Sequence, residues 1–239
     1  MDCPFLMGMS LQLYPKAKLL VADASESTPS SRAEFVAKCA SEDWDFIVMS
    51  HDFFTLLPVP EKFTRRFLRQ QTSELRLYLE DLDKLAGREK NNRKKETVKS
   101  IEKRVAQRIG QLEAQIEKLS QRKDDVITFD RLGVDCLFVD EMHMFKNLSM
   151  DSNQAGMSIG GSQRAMDLLM KIRYLQEQAK TPTTPIVYGA TATPIANKMT
   201  EAYVLAYYLD PKGLEDRGIF SLDQFLAAFS ISAQKWPLP

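Results

Sequence analysis

The sequence predicts an α/β domain with a mostly parallel sheet. Four short apolar runs, residues 17–22, 45–50, 134–140 and 185–190, are near-continuous rather than alternating, as expected of strands covered by helices on both faces. Amphipathic stretches at residues 32–40, 163–179 and 198–209 lie among them, so strand and helix alternate along the chain. The last two apolar runs end abruptly in polar residues, as strands do where a sheet presents its carboxyl edge to a ligand.

Composition narrows the function classes. The 239 residues carry 32 Lys plus Arg against 32 Asp plus Glu, so any nucleic-acid-binding surface must come from local clustering. Cys3, Cys39 and Cys136 stand far apart, and only His51 and His143 could join them, so a structural zinc site is not expected. Residues 1–13 are apolar but carry Asp2 early and no basic leader, which argues against a secretory signal. No run is long enough to span a bilayer, and a reducing, cytoplasmic setting is expected.

Residues 63–123 interrupt the α/β rhythm. Leu75, Leu79, Leu82 and Leu85 mark one helical stripe, and Ile101, Val105, Ile109, Leu112, Ile116 and Leu119 mark a second, in steps of three or four. Between them, residues 87–95 read Gly-Arg-Glu-Lys-Asn-Asn-Arg-Lys-Lys. The pattern predicts a coiled-coil-like antiparallel helical hairpin inserted between the second and third strands; its basic tip could touch nucleic-acid phosphates, but a charge run is more often a solvated surface, which is the reading preferred.

Residues 134–148, Val-Asp-Cys-Leu-Phe-Val-Asp-Glu-Met-His-Met-Phe-Lys-Asn-Leu, carry the first chemical motif. An apolar strand ends in two carboxylates. Asp140 there can hold Mg²⁺ through its waters, and Glu141 can orient or deprotonate an attacking water. His143, two residues on, is suited to sense the phosphate side. Residues 185–197, Pro-Ile-Val-Tyr-Gly-Ala-Thr-Ala-Thr-Pro-Ile-Ala-Asn, carry the second. This strand runs into a loop whose Thr191 and Thr193 can hydrogen-bond the histidine or a nucleic-acid backbone, with Pro194 fixing the exit.

Together these motifs resemble the Asp-Glu-x-His box and the third motif, Thr-Gly-Thr-Pro, of Swi/Snf-type superfamily-two helicases. Lys146-Asn147 after the acidic box strengthens the likeness, and Glu201 and Tyr203 follow as in that family's Glu-Leu-Tyr. Ala192 replaces the usual glycine, and Met142 stands where alanine is usual, which should alter packing beside the site. The likeness runs from about Tyr14 to Phe229 and is strongest to phage and conjugative-element helicases, often fused to an adenine methylase.

The resemblance implies an incomplete RecA-like three-layer sandwich. Its expected parts are residues 1–62 and 124–229 as the two portions of an ATP-binding domain, 63–123 as the insertion and 230–239 as a divergent tail. It implies Asp140, Glu141 and His143 as catalytic residues, with Asp140 the metal ligand. Thr191, Thr193, Asn197, Lys146, Asn147, Ser50 and His51 would couple to, or contact, DNA, although Ser50 and His51 suit capping or core roles equally. ATP and Mg²⁺ are the implied cofactors; DNA, a second RecA-like domain and a methylase module are the implied partners.

No Gly-Lys-Ser or Gly-Lys-Thr occurs, so hydrolysis by this chain alone is not expected. The alternative is a catalytically inactive, helicase-derived module that binds DNA or protein. An unrelated metal-dependent hydrolase would need a substrate pocket the sequence does not advertise. Residues 156–162, Gly-Met-Ser-Ile-Gly-Gly-Ser, match no nucleotide loop and read as a flexible connector.

Overall fold

Short strands and long helices dominate the computed structural model, which describes residues 12–22, 28–88, 92–121, 127–150, 152, 157, 160–181 and 184–229. Strand β1 (Leu19–Val21) leads through helix α1 (Pro29–Ser41) to β2 (Phe46–Val48). The two strands pair in parallel, Leu20 opposite Ile47, as a crossover helix requires. Helix α1 begins where the Thr28 hydroxyl accepts the Ser31 N–H and Pro29 presets the first turn, and it buries Phe35, Val36 and Cys39. Helix α2 (His51–Thr55) follows, capped by Ser50.

Two long helices come next, α3 (Glu61–Arg88) and α4 (Asn92–Gln121). They pack along one another through Leu82, Ile101, Val105 and Ile109, with Leu75, Tyr78, Leu79 and Val98 alongside, and an Arg76–Glu113 ion pair crosses between them at 2.5 Å. Each fully buried Leu or Ile in such a seam contributes about 1.5–3 kcal/mol. Nearer the main core, Phe63, Phe67, Leu68 and Leu112 join the central cluster, so the pair is rooted in the body of the protein. The Leu85 side chain and residues 89–91 of the basic stretch lie outside the described residues.

A 3-10 turn at Phe129–Leu132 precedes β3 (Leu137–Val139), and a second at Met142–Phe145 follows it. Helix α5 (Gln163–Gln178), capped by the Ser162 hydroxyl, crosses to β4 (Val187–Gly189), which pairs with β3 in parallel. Helices α6 (Met199–Leu209), α7 (Pro211–Glu215) and α8 (Leu222–Phe229) complete the described chain. They enclose a second small core of Tyr203, Leu214, Ile219, Leu222, Phe225 and Leu226. No described helix is long and apolar enough to cross a membrane.

The architecture is therefore mixed α/β, mostly helical, and two expectations need correction. Among the described residues the four strands form two separate two-stranded parallel sheets rather than one. Each ladder is three residues long, shorter than the apolar runs, because the flanking residues turn away into caps and loops. The strands are also not covered on both faces. Phe138 and Tyr188 stand 72% and 48% exposed and stack on each other with ring centroids 4.8 Å apart. Alternation along a strand sends them to the face opposite Val139, and an unbroken apolar run conceals that difference.

The main core is aromatic where the sheets meet the helices. Phe35 and Phe53 meet edge to face at 5.1 Å, and Phe54 meets Phe129 at 5.8 Å. Lys171 is fully buried beside them, its Nζ 2.6 Å from Asp167, bonded to the Phe54 carbonyl at 2.5 Å and 3.7 Å from the Phe54 ring centroid. Burial lowers the Lys171 pKa and raises that of Asp167, each opposed by its partner. A buried pair of this kind is held by its additional hydrogen bond and ring contact as much as by its own attraction.

Candidate functional site

The site is built at the carboxyl ends of β3 and β4, where the two sequence motifs meet. Val139 and Gly189 are paired, and the backbone continues the match: Ala190 N–H bonds Val139 O at 2.9 Å and Met142 N–H bonds Ala190 O at 2.9 Å. The residues after the strands, Asp140–His143 on one side and Ala190–Thr193 on the other, are therefore brought side by side by the ladder itself.

Glu141 takes a left-handed backbone conformation, φ 50° and ψ 47°, the one positive φ of a non-glycine residue among the described residues. That conformation costs an L-residue about 1–2 kcal/mol, so the surrounding hydrogen bonds must enforce it. The Glu141 N–H is bonded to Asp140 Oδ1 at 2.9 Å, and its carbonyl accepts the Met144 N–H at 2.9 Å. The sharp turn directs the Glu141 carboxylate to His143, with Oε2 3.1 Å from Nδ1.

His143 Nδ1 also lies 3.2 Å from the Thr191 hydroxyl. Nδ1 thus stands within hydrogen-bond reach of both the Glu141 carboxylate and the Thr191 hydroxyl, and the tautomer with a proton on Nδ1 makes the Glu141 contact a hydrogen bond. The Thr191 oxygen in turn accepts the Thr193 N–H at 3.2 Å, closing the small turn of the second motif. Glu141, His143 and Thr191 thus form one connected polar chain across the two motifs. Thr193 itself is exposed.

Lys146 and Glu201 make a second bridge. Their side chains pair at 3.0 Å in a mostly buried setting, and Glu201 Oε2 accepts the backbone N–H groups of Ala196 and Asn197 at 2.7 and 3.3 Å. Burial alone would raise the Glu201 pKa. The Ala196 N–H, the Lys146 ammonium and the Asn197 N–H outweigh it and leave the carboxyl below its ordinary value. The loop that carries Asn197 is held by this carboxylate, a role that residue-by-residue reading of the sequence missed. Its signal was the Glu-x-Tyr that follows Thr-x-Thr-Pro. The Asn147 and Asn197 side chains are exposed, and the Asn147 carbonyl accepts the Ser162 N–H at 2.8 Å.

Ser50 and His51 lie at the edge of this group. The Ser50 hydroxyl accepts the Phe53 N–H at 3.2 Å and caps α2. His51 packs edge-on against Phe145, centroids 4.9 Å apart, and faces the Asp140 carbonyl. Burial first and Arg164 second hold its pKa below the ordinary value, against the Asp140 carbonyl and the Asp140 and Asp52 carboxylates. Arg164 is paired with Asp52 at 2.5 Å.

Beneath the site, Met142 is buried and packs on Gly189, where a Cβ would collide with its sulfur. The glycine makes room for a methionine at a place where the resembled family has alanine. Tyr208 anchors the same turn from below, its hydroxyl bonded to Phe145 O at 3.1 Å and Ala165 O at 2.9 Å. Burial raises its pKa, so it remains a donor. Asp140 and Glu141 are the carboxylates available to a cation here, and no group of three or more His, Cys, Asp or Glu ligands gathers among the described residues.

Comparison with protein families matches residues 9–238 to a family described as "Probable helicase domain". No curated protein and no solved structure matches the chain. Since the family match spans nearly the whole sequence, including both motifs and the bridges between them, the chain belongs to this helicase-domain family.

Proposed function

We propose that the chain is part of the ATP-binding motor domain of a Swi/Snf-type superfamily-two DNA helicase or translocase, with a RecA-like ancestry and with α3 and α4 as an inserted helical hairpin. The observation that carries this reading is the Glu141–His143–Thr191 chain, which joins the acidic box to the Thr-Ala-Thr-Pro loop. A motor needs such a connection, because the state of the nucleotide must alter the loop that tracks DNA.

The donor set at the strand ends fits Mg²⁺ of the kind that keeps several waters and shares phosphate oxygens, since that ion needs only one or two protein carboxylates. When bound, Mg²⁺ with ATP would neutralise charge developing on the transferred phosphoryl group. Asp140 would hold the ion, its Oδ1 already oriented by the Glu141 N–H. The left-handed turn at Glu141 presents its carboxylate as the base or positioning group for water, and His143 holds that carboxylate in place. Thr191, Thr193 and Asn197 lie on the loop that would respond, while Lys146 and Glu201 brace its far end. The sequence holds no Gly-Lys-Ser or Gly-Lys-Thr, so on this reading the remaining phosphate contacts and the second RecA-like domain come from outside these residues.

The test is Glu141→Gln in the longest natural polypeptide that carries this chain, assayed for DNA-stimulated ATP hydrolysis. A loss of about a hundredfold or more is expected from removing a catalytic base. Unchanged stimulated hydrolysis would overturn the motor assignment and leave a binding module as the better description.

A further inference from the structure

A groove of about 390 Å³ runs between α4 and the loop that enters α5, away from the Asp140–Glu141 strand ends. Arg104, Arg108, Gln111 and Gln115 line one wall at steps of three or four, hence on one face of the helix, and Gly161 and Ser162 line the other. The stretch from Arg104 to Gln115 covers about 16 Å of helix axis at 1.5 Å per residue. Among the described residues that line the groove there is no carboxylate. Its rims offer guanidinium, amide and hydroxyl donors, while Leu112 and Met166 supply an apolar floor.

We propose that this groove holds the sugar–phosphate backbone of one nucleic-acid strand, with Arg104 and Arg108 on successive phosphates and the apolar floor under the sugars. Donor-rich walls, with no acidic group among the described lining residues, match a polyanion, and a space of about 390 Å³ is far too small for a duplex. The choice of nucleic acid over another polyanion rests on the helicase reading. The loop wall is held close: a Cβ on Gly161 would stand 2.7 Å from the Ser149 Cβ, and the Ser162 N–H is bonded to the carbonyl of Asn147, beside Lys146. A strand in the groove therefore touches the same loop that is tied to the acidic-box turn.

The test uses the full chain and a fluorescent single-stranded oligonucleotide of mixed sequence, with binding followed by anisotropy over a range of salt without ATP. R104Q/R108Q should weaken binding roughly tenfold at low salt and reduce the log–log salt slope by about 1.4, the value for two lost phosphate contacts on a single strand. R104K/R108K, which keeps both charges, should retain most of the slope and shows that the fold tolerates change there. K99Q/K103Q removes the same charge from exposed positions of α4 outside the groove and should bind nearly as wild type. Equal weakening by both glutamine pairs, unchanged binding by R104Q/R108Q, no binding by the wild-type chain, or displacement of the oligonucleotide by micromolar ATP would each overturn the groove assignment. None of these results bears on the Glu141→Gln hydrolysis test, so the two readings fail separately.

Discussion

His143 Nδ1 lies 3.2 Å from the hydroxyl of Thr191, a residue 48 positions further along the chain. The contact exists because β3 and β4 pair in parallel, which places the residues after the two strands at the same level. Thr191→Val keeps the shape but removes the hydroxyl from both His143 and the Thr193 N–H. Stability should fall by about 1 kcal/mol, the net worth of such a hydrogen bond, read as a shift in urea midpoint. In the complete motor the same variant should keep basal ATP hydrolysis and lose its stimulation by DNA. Undiminished stimulation would remove Thr191 from the coupling path.

Glu141 sits in a conformation that favours glycine. Glu141→Gly and Glu141→Ala both remove the carboxylate, but only the first relieves the backbone. The glycine variant should be the more stable of the two by about 1 kcal/mol, the αL penalty less the extra unfolded-state entropy of glycine. A glycine variant with a lower urea midpoint than the alanine variant would show that the turn carries no strain.

Met142 and Gly189 are packed so that one occupies the space the other lacks. Gly189→Ala should overpack the site and destabilise the chain by about 1–3 kcal/mol. Met142→Ala opens a cavity and should cost about 2–5 kcal/mol by itself. Combining them should be less harmful than the sum, because the new methyl enters the vacated space. Additive losses in a double-mutant cycle would show that the two side chains do not compete for one volume.

Glu201 has a folded-state pKa below its unfolded value, because its hydrogen bonds and Lys146 outweigh its burial. The unfolded chain therefore binds this proton more readily. The stabilisation is fully present above the ordinary glutamate value and is lost as pH falls through the lower folded value. At neutral pH, Glu201→Gln should cost about 1.5–3 kcal/mol, the range for hydrogen bonds to a charged group. The gap between wild type and variant should narrow on acidification to about pH 3. A gap that stays constant with pH would mean that Glu201 does not act through its charge.

Much of the site was legible in the residues themselves. Asp140, Glu141 and His143 were visible because an apolar run ends abruptly in acids, and Thr191 because a second run ends in hydroxyls. What the residues could not supply was the carboxylate beneath the loop: Glu201 lies inside a helix, and its partners Lys146, Ala196 and Asn197 are recognisable only once the chain has folded. The hydroxyl of Ser50 has a local answer, the cap of α2, and capping depends on residues only three apart.

The sequence by itself determined the family, the alternation of strand and helix, and the stripe of Leu79, Ile101, Val105 and Ile109 that lines the seam between α3 and α4. These follow from near-neighbour effects: helical period, strand propensity and motifs read within a few residues. Only the tertiary structure decided that the strands form two separate ladders, that Phe138 and Tyr188 stack on an open face, and that Arg104 and Arg108 look across at Gly161 and Ser162. Each of those depends on which distant segments meet. Pairing and burial are set by the packing of the whole chain, and a local run of apolar or charged residues has the same appearance on either side of a sheet or helix.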